Sequence, residues 1–112
     1  MASASNNEPL HHLPVLYHDI IHALRPKSPG RFVDATVGAG GHAFGILEAC
    51  EPDGQLLGFD LDPQALVLAD QRLNVYRGRY KLVQASYIKL LEQISQLRWE
   101  AVDGIVIDLG VS

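Results

Sequence analysis

DATVGAGGHAFGIL, residues 34–47, places Gly38, Gly40 and Gly41 between an apolar run and a stretch with helical spacing. Glycines this dense serve a backbone that must turn tightly and pass close to something. The preceding run, RFVDATV (residues 31–37), is short and rich in Phe, Val and Thr, which predicts a strand. GAGGHAFGILEACEPDG (residues 38–54) then predicts a glycine loop opening a helix, closed by Pro52, Asp53 and Gly54.

Outward from that point the pattern repeats. QLLGFDLD (55–62) predicts a second strand, and PQALVLADQRLNVYRG (63–78) a helix with Pro63 at its start, where a missing N–H costs nothing. YKLVQAS (80–86) predicts a third strand. YIKLLEQISQLRWEAV (87–102) predicts a third helix with Ile88, Leu91, Ile94 and Leu97 on one face. DGIVIDLGVS (103–112) predicts a fourth strand. Upstream, Leu16, Ile20, Ile21 and Leu24 recur at helical spacing, which predicts a helix over Tyr17–Leu24. The polar opening, residues 1–10, reads as a disordered tail without the apolar stretch of a signal peptide.

Near-continuously apolar strands alternating with helices imply an α/β parallel sheet wound by right-handed crossovers. The 112 residues suffice for one small domain. Four strands are roughly half of a doubly wound sheet, so residues 11–112 are expected to be the N-terminal half of a cofactor-binding domain. GIVID, expected beside the first strand, would then be an open apolar edge that invites self-association or dimerisation. The net charge of −4 gives no global basic character, so any RNA partner must be argued from motifs. No apolar run approaches the ~20 residues that span a bilayer. The single cysteine, Cys50, reads as a helix packing residue and excludes an internal disulfide.

In doubly wound sheets ligands bind at the carboxyl ends of the strands. Gly38 and Gly40 would let a ligand approach the backbone, and Gly41 and His42 would begin a helix whose free N–H groups can meet an anion. Asp60 ends the second strand about 20 residues after Gly40, where an acid can accept from both ribose hydroxyls of an adenosine cofactor. Asp62, before Pro63, reads as a helix cap. Gly38 to Ala43 also satisfies the dinucleotide pattern, which keeps an NAD- or FAD-binding oxidoreductase half-domain in view. A non-catalytic binding module on the same fold is a third reading. Asp34 favours S-adenosylmethionine: an acid four residues before the first glycine can orient the loop and the cationic end of that cofactor, whereas it would repel a pyrophosphate.

Four segments resemble one family. His12-Leu-Pro14-Val15-Leu16 is similar to its H-x-P-V-L signature, DATVGAGGHA to its D-x-T-x-G-x-G-G-H loop, GFDLDPQAL to its D-x-D-x-x-A-L segment, and GIVIDLGVS to its D-L-G-x-S motif. This is the family of S-adenosylmethionine-dependent small-subunit ribosomal RNA cytosine-N4 methyltransferases (RsmH or MraW). The resemblance implies a Rossmann-like class I methyltransferase fold, of which these would be the first four strands. It implies a cytoplasmic enzyme with the small ribosomal subunit as partner. It places Gly40, Gly41, His42 and Asp60 at the cofactor, Tyr87 near the adenine, and Asp108 at the reactive end. Asp108 is expected to position cofactor or to accept from the target amine, whose lone pair is delocalised into the ring. The family continues beyond D-L-G-x-S, so this chain is expected to be an N-terminal fragment.

Two features read as incidental. His18 and His22 imitate a zinc motif, but the acid is Asp19 rather than Glu and no third ligand is evident, so no metal is expected. Arg72, Arg77, Arg79 and Lys81 read as a solvated surface.

Overall fold

The computed structural model describes residues 29–107. The helix expected over residues 17–24, the His18–His22 pair and Asp108 lie outside them. The chain order is β1 (Arg31–Asp34), α1 (Gly41–Ala49), β2 (Gln55–Asp60), α2 (Pro63–Leu73), β3 (Tyr80–Gln84), α3 (Leu90–Gln96) and β4 (Gly104–Val106). Short 3-10 turns over Asn74–Tyr76 and Tyr87–Lys89 come after α2 and before α3.

All three strand pairings are parallel, and the sheet order is β3-β2-β1-β4. The chain steps outward from β1 to β3, then jumps back across the sheet to β4. With crossovers of one hand, that reversal sends the last helix to the opposite face. The core divides accordingly. Phe32 and Leu56 pack with Ala43, Ile46, Leu47, Ala69 and Leu73 of α1 and α2. Their strand neighbours Val33 and Leu57 point the other way, with Phe59 and Trp99, against Leu90, Ile94 and Leu97. The reversal also makes β1 the switch point, whose carboxyl end is where such sheets form a crevice.

Local chemistry sets the helix boundaries. Asp62 caps α2 by accepting from the Gln64 N–H at 2.9 Å, with Pro63 in the first turn. Cys50 closes α1, is fully buried, and its thiol pKa is pushed up by that burial.

Two expectations are corrected. The third helix is shorter than its sequence pattern, and its buried face is Leu90, Ile94 and Leu97, whereas Ile88 and Leu91 are each 79% exposed. Leu90, Ile94 and Leu97 stand at i, i+4 and i+7 and so share one face, whereas Leu91 is one step of about 100° round the helix and Ile88 lies in the preceding 3-10 turn. Arg79 does not belong to a solvated basic surface. Its Nε donates to the Gly54 carbonyl at 2.8 Å and its Nη2 to the Leu47 and Cys50 carbonyls at 2.8 and 3.3 Å. It thereby satisfies the C-terminus of α1, while stacking 5.1 Å from the Tyr76 ring centre.

Candidate functional site

Residues 35–40 connect β1 to α1, and almost every turn of this segment is tied down. The Ala35 N–H donates to the Val106 carbonyl at 2.8 Å, and the Val37 N–H to the Phe59 carbonyl at 2.8 Å. The Gly38 N–H donates to Asp60 Oδ2 at 2.8 Å, and the Gly40 N–H to the Val37 carbonyl at 2.9 Å. Gly38 (φ 54°) and Gly40 (φ 94°) take left-handed backbone that a side chain would resist. Asp34, fully buried at the end of β1, accepts from the Thr36 N–H at 3.1 Å and so sets the exit of the loop from the strand.

Asp60 is the hinge of the arrangement. While Oδ2 holds Gly38, Oδ1 accepts from the Asp62 N–H at 2.9 Å. Each oxygen of a carboxylate carries two lone pairs, so both retain capacity for a further donor. Asp60, with Thr36, Leu61, Ser86 and Tyr87, lines a cleft of about 210 Å³ across the carboxyl ends of β1, β2 and β3. Ser86 holds the cleft's far wall by accepting from the Ile88 N–H at 3.3 Å. Tyr87, 53% exposed, presents its ring at the rim.

The predicted site residues therefore fall into groups. Asp60 and Tyr87 share the cleft, and Gly38 is bonded to Asp60. Asp34 lies in the interior at the base of the loop. Gly41 and His42 open α1, with the His42 side chain buried at 4% exposure. The N-cap of α1 is Gly40, which has no side chain to cap it, and no acid stands in the helix's first turn, so this end carries the positive pole of the helix dipole. Thr36, Leu61 and Ser86 were not singled out from sequence. Their only signal there was adjacency to the strand ends.

An adenosine carrying an amino-acid chain suits these features. A carboxylate with spare lone pairs, an aromatic rim and a bare helix N-terminus address respectively hydroxyls, a purine and an anionic carboxylate.

Comparison with known proteins bears on the family and the fold. Residues 9–112 match the model of the MraW methylase family. The chain is 42% identical over 105 residues to a ribosomal RNA small subunit methyltransferase H of Citrifermentans bemidjiense, covering 94% of this chain and 34% of that protein. An rRNA methylase from Streptococcus thermophilus superposes with a TM-score of 0.68 at 23% identity, covering 97% of this chain and 58% of the other. Fibrillarin from Aeropyrum pernix, solved with natively bound S-adenosyl-L-methionine, superposes with a TM-score of 0.62 at 19% identity, covering 76% and 36%. At those identities the two structures establish the fold, that of Rossmann-like class I methyltransferases. The chain spans about a third of the length of the curated relatives it matches. Among the described residues, no helix is long and apolar enough to cross a membrane.

Proposed function

The chain belongs to the MraW methylase family, and from that premise we propose that it supplies the S-adenosylmethionine site of an enzyme methylating small-subunit ribosomal RNA, at the N4 amine of a cytosine. The observation that carries this reading is the bond from Gly38 N–H to Asp60 Oδ2, at 2.8 Å. It joins the loop suited to the donor's amino-acid end to the acid suited to its ribose, beside a cleft of about 210 Å³.

The bound donor supplies a sulfonium methyl group whose leaving group is a neutral thioether. The protein's part is positioning, which for such an in-line displacement is the main lever. In this reading the free lone pairs of Asp60 take the ribose hydroxyls, and the ring of Tyr87 lies against the adenine. The backbone of Gly40, Gly41 and His42 receives the donor's carboxylate at the positive end of α1, and Asp34 orients the loop from below. Asp108 accepts from the exocyclic amine of the target cytosine, raising electron density on nitrogen. The target base leaves its stack to reach the site. In this reading the partner is the small ribosomal subunit and the enzyme works in the cytoplasm.

Calorimetric titration of the full chain with S-adenosylhomocysteine and with NAD tests the cofactor. Saturable binding of the first and none of the second is expected; the opposite result favours a dinucleotide site and overturns the reading. Nucleoside analysis of ribosomal RNA from small subunits treated with enzyme of the relatives' full length tests the target. N4-methylcytidine is expected, and Asp108→Ala is expected to abolish it.

A further inference from the structure

The most crowded point of the glycine loop faces α2 and not the cleft. A methyl group on Gly40 would lie 3.3 Å from Ala69 Cα, 3.5 Å from Ala69 Cβ and 3.6 Å from Arg72 Cδ. Here the loop backbone rests on the helix backbone itself. Ala69 is fully buried in the cluster containing Val37, Ala43, Ile46 and Leu73. In an interior packed at crystal density, a larger side chain at position 69 must displace a neighbour, and the loop is the neighbour without side-chain bulk of its own.

The same helix also meets the acid of the cleft. Asp62 at its N-cap donates its N–H to Asp60 Oδ1 at 2.9 Å, and Asp60 Oδ2 in turn holds Gly38. The loop and Asp60 thus share one support, α2, touched at its cap and again at Ala69. We propose that Ala69 is a positioning residue: the side-chain size at this point of α2 sets the height of the glycine loop relative to Asp60, and through it the affinity for the methyl donor. The inference rests on the methyl-donor reading of the loop. Its geometric half, that Ala69 seats the loop, holds for any ligand.

The test compares two substitutions in α2 of the full chain. Ala69→Val thickens the seat; Leu73→Ala weakens the same helix from a fully buried position nearer its end. Amide exchange of Gly38, taken relative to Leu57 in the sheet, reports the loop in ligand-free protein. In Ala69→Val the ratio is expected to rise about tenfold, and S-adenosylhomocysteine affinity to fall about tenfold. In Leu73→Ala both are expected within about twofold of wild type despite a comparable loss of stability. Ala69→Ser, close in volume, is expected to restore wild-type values. Equal effects from both substitutions, or none from Ala69→Val, overturn the proposal. Should Ala69→Val not fold, Ala69→Gly removes the seat without bulk, and an unchanged Gly38 ratio there overturns it equally. Wild-type protein that ignores S-adenosylhomocysteine would refute the cofactor reading alone, leaving the exchange ratio to decide the seat.

Discussion

The β1–α1–β2 unit and the β3–α3–β4 unit share one chain order yet present opposite surfaces. In the first, α1 buries His42, Ala43, Gly45, Ile46 and Leu47, and the strands beneath it carry Phe32, Val33, Leu56 and Leu57 at 2% exposure or less. In the second, α3 has no fully buried residue, and β3 has only half-buried positions (Tyr80, Leu82, Val83) and exposed ones (Lys81, Gln84). The sheet order supplies the reason. β1 has a strand on either side, whereas β3 is bounded by β2 alone among the described residues. A central strand loses water from both faces and both edges; an edge strand keeps one side wet, and the elements tied to it are packed more thinly. The cleft lies where the two regimes meet, with a rigid loop on one side and Tyr87 on a thinly packed turn on the other.

This contrast can be broken by substitution. The largest effect is expected at Phe59, fully buried in β2: Phe59→Ala should destabilise by about 4 kcal/mol in urea unfolding. A loss below about 1 kcal/mol would mean that the centre is no better packed than the edge. Next, Gly40→Ala forces a side chain into left-handed backbone against Ala69 and should cost about 2 kcal/mol, with weaker S-adenosylhomocysteine binding.

Toward the edge the effects shrink. Tyr80 Oη donates to Asp70 Oδ1 at 2.6 Å, and Tyr80→Phe should cost about 1 kcal/mol. This bond carries a pH signature. Burial first, then the bond to Asp70 and its charge, push the Tyr80 pKa from 10.0 to about 12. The neutral phenol is therefore favoured in the folded state. Its stabilisation is complete below pH 10 and is lost as pH rises through about 12. Unfolding curves between those limits should show a shallower slope in Tyr80→Phe than in wild type, the remainder coming from Tyr76 and Cys50, whose pKa values burial also raises. Smallest of all, Leu91→Ser on the exposed flank should change stability by no more than about 0.5 kcal/mol; a larger loss would show that Leu91 is packed after all.

The legible parts of the molecule were those governed by local chemistry. Every strand, the capped start of α2 and the glycine loop could be read from apolar runs, Asp62-Pro63 and glycine spacing. Asp60 was legible because a strand-end acid stands at a fixed distance from such a loop. The face of α3 was not, because steps of three through Ile88, Leu91, Ile94 and Leu97 look as helical as the spacing of Leu90, Ile94 and Leu97, and only packing against the sheet selects the second set. Arg79 was not, because a basic residue among other basic residues gives no hint that it turns inward to three carbonyls more than twenty residues away.

By itself, the order of residues determined the parallel α/β architecture, the place of the crevice and the acid beside it, since each depends on periodicity and on residues a few positions apart. Tertiary structure alone decided which atoms Asp60 holds, which helix supports Gly40 and which apolar side chains stay wet. Those outcomes depend on how closely distant segments approach, and close packing resolves that only when the whole fold is assembled.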